Sequence, residues 1–333
     1  MPKVSVIVPN YNHARFLPKR LDTVVGQTFT DFELLIMDDK SPDDSLAVID
    51  PYLRDPRARL ERNEVNSGSP YLQWNKGLAL TTGEYVWIAE SDDYADPAFL
   101  TTLVEQLDRH PSAGIAMCMS WKIDGEDRIL GGYRERWDRR LAAAYGPNPF
   151  NDGVFFMNGR DFCARYMSPW NLIPNASGAL FRRSAFEAIG GPVTDMKICG
   201  DWFTYCKMLM HSDFVSVPDH LNYFRTHTTN VRLRTKATDF VREALEVREF
   251  LTQNLGQRPS AQTERMAQDF YAQMLVSAER TGPSRKTPLS RYPALINQAR
   301  QFGSGLTAHV AKILLREAVA RLIPRPRPTG VNG

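Results

Sequence analysis

Residues 3–12 read KVSVIVPNYN, residues 32–39 read FELLIMDD and residues 84–93 read EYVWIAESDD. Each is a short apolar run, β-branched or aromatic in character, that stops abruptly at polar residues, which is how a buried strand meets a loop. The first strand is read as Lys3–Val8 and the second as Phe32–Met37, with a third near Ala58–Arg62 and a fourth over Glu84–Ala89. Between them the spacing turns helical. Phe16, Leu17, Leu21, Val24 and Val25 recur on one face, with Pro18 in the first turn where it costs little. Ser41-Pro42-Asp43-Asp44 reads as a turn and helix start, Tyr71–Leu80 as a helix closed by Thr82-Gly83, and Pro97–Leu107 as another. Strand–helix alternation with short connections predicts an α/β fold, a Rossmann-like, mostly parallel sheet with helices on both faces. Ligands of such sheets bind beyond the carboxyl ends of the strands. Asn10-Tyr11-Asn12, Asp38-Asp39 and Ser91-Asp92-Asp93 all fall on that edge, so topology alone predicts a site there.

Further along, Gly114–Ser120 continues the sheet, and residues 123–151 look irregular, being richer in Gly, Pro and Arg. Residues Asn175–Phe181 (NASGALF) regain strand character, Trp202–Met210 reads as a helix, and Phe214–Val217 and Leu221–Phe224 as two short strands. Beyond Thr235 the pattern is helical and lacks Asp/Asn/Gly-rich site loops. This predicts a catalytic unit over 1–235 and a helical C-terminal region over 236–333. Phe240, Ala244, Val247 and Leu251 define one helix, and Met266, Phe270, Met274 and Ala278 a second. A linker follows from Gly282 to Pro293, then a last helix over Leu306–Ile323 and a loose tail.

That last helix gathers Ala311, Leu314, Leu315, Ala318, Val319 and Leu322 on one face, with Lys312 and Arg316 outside it and Arg325 and Arg327 beyond. Such a basic amphipathic helix suits an anionic membrane surface, or close packing on the catalytic unit or on a second copy in a homo-oligomer. The 333 residues are 43% hydrophobic and 24% charged with a net charge of +3, which excludes wholesale disorder and leaves no general nucleic-acid footprint. Cys118, Cys163, Cys199 and Cys206 form no CxxC pair, so they read as reduced, buried thiols. The first apolar run breaks at Pro9, too early for a signal peptide, and no stretch approaches the ~20 apolar residues of a membrane span. The expected location is cytoplasmic, with peripheral contact at the inner face of a membrane as its variant.

The adjacent carboxylates Asp92-Asp93 are the ligand type that Mg²⁺ or Mn²⁺ prefers, commonly one or two carboxylates completed by substrate phosphates. The same residues, followed by Asp96-Pro97, would also make a solvated turn and helix cap. A carboxylate at Asp39 suits a nucleobase imide or ribose hydroxyl, or a cap; Tyr11 suits stacking on a base, or a plain surface turn.

Taken in order, VSVIVPNYN, the DD of Asp38-Asp39, NKG (75–77), GEY (83–85) and SDD (91–93) resemble the family 2 inverting glycosyltransferases of GT-A fold. The likeness is good from residue 3 to about 110. It continues through NASGALFRRSAFEAIGG, CGDWFTYCKML and NYFRTHTTN to about 230. The resemblance implies a nucleotide-binding loop at Pro9, Tyr11 and Asn12, base contact at Asp39, and a metal- and diphosphate-binding pair at Asp92 and Asp93, with Asp93 the direct ligand. It further implies Asp201 as general base and His227 as a residue completing the metal site. The implied reaction moves a sugar from a UDP- or dTDP-linked donor to a hydroxyl of a glycan or lipid-linked glycan, with Mn²⁺ or Mg²⁺, in surface polysaccharide or glycoconjugate assembly. Three positions depart from the family pattern. Gly200 stands where Glu usually precedes the base, Glu90 where Asp is usual, and Trp74 where Arg often precedes the Asn-x-Gly element, with Arg182 or Arg183 as stand-ins for the lost cation. Other readings of the same chain are a silent nucleotide-sugar binder and a membrane-docking or interaction module.

Overall fold

In the computed structural model, residues 1–132, 150, 153–226, 236–256, 259–280 and 286–322 are described. The chain begins with β1 (Val4–Asn10), α1 (Leu17–Val25), β2 (Phe32–Asp38), α2 (Ser45–Ile49), β3 (Ala58–Arg62), α3 (Pro70–Leu80) and β4 (Tyr85–Ile88). It continues with β5 (Tyr94–Ala95), α4 (Phe99–Arg109), β6 (Ala113–Ile123), β7 (Ile129–Gly132), β8 (Phe155–Met157) and α5 (Gly159–Phe162). Next come β9 (Ala179–Arg182), α6 (Arg183–Glu187), α7 (Gly200–Leu209) and β10 (Asp213–Arg225). Four helices end the described chain: α8 (Ala237–Leu255), α9 (Ala261–Ala278), α10 (Tyr292–Arg300) and α11 (Ser304–Leu322).

The strands lie in the order β3-β2-β1-β4-β9-β6-β10-β5. β3, β2, β1 and β4 are parallel, as are β6 and β10, while β9 runs antiparallel between β4 and β6. The expected α/β sheet is present, and its one reversed inner strand has a use. Running backwards, β9 brings the residues before it, 174–177, to the edge where the parallel strands end. The two short strands read near 214–224 are one strand, β10, whose register with β6 shifts between Ser216 and His220. Pro218 lies in that interval and has no N–H to give to the ladder.

Alternation along the strands divides the core. Val4, Val6, Val8, Leu34, Ile36, Tyr85 and Trp87 point to one face, where they meet Leu17, Leu21 and Val24 of α1 and Phe99, Leu100, Leu103 and Leu107 of α4. Ile7, Leu35, Met37, Val86 and Ile88 point to the other and meet Tyr71 and Trp74 of α3. That second cluster runs on through α7 into Val241, Ala244, Val247, Tyr271, Leu275, Leu295, Val310 and Leu314 of the C-terminal helices. Gly77 of α3 is needed for close approach: a Cβ there would lie 2.6 Å from Ile7 Cγ2.

Three expectations for the helical region are corrected. The second helix buries Ala267, Tyr271, Ala272, Leu275 and Val276, whereas Met266 stays 40% exposed, so its inward face is turned from the one read. Small alanines let neighbouring helices approach more closely than the long methionines would. The linker read over Gly282–Pro293 runs into the start of α10, a helix the sequence reading did not assign, whose Leu295 and Ala299 are buried. The apolar face of the last helix is split. Leu306, Val310 and Leu314 are buried, while Leu315 is 65% and Val319 48% exposed. All four cysteines are buried, as expected, and none is in a disulfide. Among the described residues no helix is long and apolar enough to cross a membrane.

Candidate active site

The carboxyl ends of β1, β2 and β4, the residues before β9 and the start of α7 enclose a cavity of about 560 Å³. Of the residues singled out in the sequence, it is lined by Pro9, Tyr11, Asn12, Asp39, Asp92, Asp93 and Asp201. His227 lies outside the described residues. The lining also includes residues that the sequence reading passed over, notably His13, Tyr71, Gln73, Asn175 and Lys197. His13 stands in the loop that ends the first strand, whereas Tyr71, Gln73, Asn175 and Lys197 are marked only by contact across the fold. Arg182 and Arg183 do not reach the cavity. Arg182 donates to the carbonyls of Leu107 and Ala113, and Arg183 to those of Gly83 and Leu78, so both tie strands to helices and neither replaces a cation at the site.

Asn12 adopts a left-handed backbone (φ 59°), a conformation Asn tolerates, and its amide donates to Ser41 Oγ at 3.1 Å. This folds the loop after β1 onto the loop after β2 and leaves the Tyr11 ring 46% exposed. Asp38 is fully buried and accepts from Asn10 Nδ2 and the Ser41 amide, which makes it the acid that orders the two loops. Asp39 faces the cavity and already accepts from Asn63 Nδ2 (2.6 Å), Gln73 Nε2 (3.0 Å), and the amide and hydroxyl of Ser67 (2.9 and 2.7 Å). Its carboxylate is thereby fixed in orientation by donors from the 63–73 segment.

Glu90, Asp92 and Asp93 form the acidic wall. Asp93 is 2% exposed and accepts from the Arg225 amide at 2.8 Å, so the carboxyl end of β10 holds it. Burial, then the neighbouring charge of Asp92, raises its pKa to about 7. Burial and Asp92 likewise raise Glu90 to about 8, against the opposing hydrogen bond from the Trp74 indole at 2.9 Å. Behind this wall Arg20, wholly buried, donates through Nε to the Glu90 carbonyl, and its guanidinium partly offsets the acids. Among the described residues, five carboxylates line the cavity (Asp39, Glu90, Asp92, Asp93, Asp201) against one lysine, Lys197.

Across the cavity, Asp201 sits in the first turn of α7, where the helix dipole favours a carboxylate. It is not the cap. The cap position is Cys199, and Asp201 accepts from Asn171 Nδ2 at 3.3 Å and from the Trp202 amide at 2.6 Å. The three departures noted above meet here in one unit. The Trp74 indole donates to Glu90, the Tyr71 ring packs edge-on to Trp74 with centroids 5.2 Å apart, and the same ring lies against Gly200. A Cβ at position 200 would lie 2.6 Å from Tyr71 Cε2, so a glutamate could not occupy this position without displacing the ring. The changes at 74, 90 and 200 are therefore structurally connected.

Among the described residues no group of three or more His, Cys, Asp or Glu is arranged to hold a metal. Paired carboxylates whose charge Arg20 offsets only in part nevertheless fit a hard divalent cation completed by substrate phosphates.

The fold matches solved glycosyltransferases of GT-A type. The structure of Staphylococcus aureus TarS residues 1–349 in complex with UDP-GlcNAc superimposes with a TM-score of 0.65 at 20% identity, covering 96% of this chain and 87% of that one. A mannosyltransferase from Pyrobaculum calidifontis in complex with GDP-Man and Mn²⁺ matches with a TM-score of 0.55 at 20% identity, with the same coverage. These likenesses define the fold class, a GT-A glycosyltransferase fold. Residues 5–190 match the family model described as glycosyl transferase family 2, and the chain belongs to that family. An uncharacterized glycosyltransferase of Nostoc, alr2836, is 28% identical over 251 residues, 73% of this chain and 70% of its own. The poly(ribitol-phosphate) β-N-acetylglucosaminyltransferase TarS of Staphylococcus aureus is 34% identical over 114 residues, which are 34% of this chain and only 20% of that protein's length.

Proposed function

We propose that this protein is an inverting glycosyltransferase that uses a nucleotide-diphosphate sugar, UDP- or dTDP-linked, and a hydroxyl of a glycan or lipid-linked glycan as acceptor. The observation that carries the reading is the convergence of the Asp92-Asp93 pair and Asp201 on one cavity that the Pro9–Asn12 loop and Asp39 also line. In this reading the nucleoside lies against Tyr11, Asn12 and Asp39, and the diphosphate lies by the acidic wall. Asp93 with Asp92 would hold a Mn²⁺ or Mg²⁺ ion, which when bound supplies Lewis-acid stabilisation of the leaving diphosphate. Asp201 accepts the proton of the acceptor hydroxyl as that oxygen attacks the anomeric carbon opposite the departing diphosphate. Lys197, the one Lys or Arg on the lining among the described residues, offers attraction to an anionic group of donor or acceptor. A role in surface polysaccharide assembly is supported by relatives named for transfer to poly(ribitol-phosphate), TarS of Staphylococcus aureus and a β-glucosyltransferase of Bacillus spizizenii.

Calorimetric titration with UDP and dTDP, in Mn²⁺ and in EDTA, tests the donor site. We expect metal-supported binding that Asp93→Ala reduces at least about tenfold, since it removes a charged ligand. Binding of neither nucleotide under either condition would overturn the donor assignment. In a donor screen, Asp201→Asn is expected to bind nucleotide as the parent does and to lose turnover by about 10²–10⁴-fold.

A further inference from the structure

We infer that Glu243, carried by α8, is a positioning residue for the Asp201 carboxylate. The inference rests on the reading of Asp201 as the base. Glu243 Oε1 accepts from the Lys197 amide at 3.0 Å, and Oε2 accepts from the Ile198 and Cys199 amides at 2.9 and 2.8 Å. The side chain is 4% exposed and does not line the cavity, so it acts on the site only through this backbone.

These amides lead directly into α7. A helix start leaves N–H groups without intrahelical partners, and Cys199 at the cap position makes no side-chain cap. Glu243 satisfies the amides just before the helix with one buried carboxylate, a charge-assisted arrangement. On the cavity side the same loop is held by Tyr71, whose hydroxyl donates to the Ile198 carbonyl at 3.2 Å and whose ring rests on Gly200. Residues 197–200 are thus clamped between Tyr71 and Glu243. Gly200 adds no side chain to hold them, and Asp201 is the next residue. The helical region is therefore tied to the chemistry at a definite atom pair set, although it carries no site loop of its own.

Glutamine at 243 keeps the shape but has one acceptor oxygen, and it turns an NH₂ toward backbone N–H groups. The experiment compares the full chain with Glu243→Gln, Glu243→Asp and a control, Arg248→Ala. Arg248 lies on the same helix but bonds Ser168 O and Glu264, away from residues 197–199. Amide hydrogen exchange is read at 197–199. Release of UDP from UDP-glucose, UDP-GlcNAc and UDP-galactose is measured with water as acceptor, taking the best donor.

We expect exchange at 197–199 to rise at least about tenfold in Glu243→Gln, with kcat falling by a similar factor, the size of a lost charged hydrogen bond. The donor KM should stay within about twofold, Glu243→Asp should lie between, and Arg248→Ala should retain both protection and kcat. Faster exchange with unchanged turnover would overturn this inference alone. So would an equal loss of kcat in Arg248→Ala, or a rise in donor KM that accounts for the loss. A parent protein that binds no nucleotide and releases no UDP would instead overturn the donor reading, and with it any catalytic role for the clamp.

Discussion

Asp38 and Asp39 are neighbours with opposite fates: one is sealed under the loops it orders, the other faces the cavity with its orientation set by Asn63, Ser67 and Gln73. Chemistry at this scale depends on what a side chain already holds. Glu90 and Asp93 show the energetic consequence. Their carboxyls titrate near 8 and 7, far above ordinary carboxylates, because burial and Asp92 oppose their ionisation. Between about pH 4 and 8 the folded protein therefore binds more protons at these groups than the unfolded chain, and stability falls as pH rises through that range. We expect the melting temperature without added metal to drop by a few degrees (~2–6 °C) from pH 6 to 8.5. Glu90→Gln, which preserves an acceptor for the Trp74 indole, should flatten part of that decline in thermal scans. Gly200→Ala, by contrast, drives a methyl into the Tyr71 ring and should cost about 1–3 kcal/mol in urea denaturation. Tyr71→Leu in the same background should recover part of it.

At the scale of elements, the last helix carries more apolar positions than one interface can use. Leu306, Val310 and Leu314 repeat at four-residue steps and pack against α9 and α10, while Leu315 and Val319 turn outward. Leu314→Ala is expected to destabilise by about 2–5 kcal/mol and Leu315→Ser by less than about 0.5 kcal/mol, read by chemical denaturation. The first strands were legible because each apolar run has a single length and a sharp polar stop. The C-terminal helices were legible as helices, yet their faces were not. In α9 both the Met266–Met274 stripe and the Ala267–Val276 stripe have helical spacing, and only the neighbouring helices choose between them. The α10 helix escaped notice because nine residues with Pro293 in the first turn resemble a linker until Leu295 and Ala299 find a core.

Across the whole molecule, one apolar cluster joins Ile7, Met37 and Trp74 under the sheet to Val247, Leu275 and Leu314 in the C-terminal helices. We propose that helices α8–α11 are less an appendage than the cover of one sheet face. A chain ended after residue 235 should then expose that cluster, losing cooperative unfolding and aggregating, as light scattering and circular dichroism would show. The division read at 235 does not divide the core, which continues past it.

Local pattern determined the order of the first strands and helices, the sheet edge that bears the candidate site and the acids Asp39, Asp92 and Asp93, whereas Asp201 was marked only by the family resemblance. Those features depend on short-range spacing, on where an apolar run ends and on the chemical type of the residue that ends it. Only the tertiary structure decided that Asp38 is sealed away and that Arg182 and Arg183 are spent on carbonyls. It alone joined Trp74, Glu90, Tyr71 and Gly200 into one unit and delivered Glu243 to the loop before Asp201. Those outcomes turn on contacts between residues distant in the chain, and such contacts leave no period in the sequence.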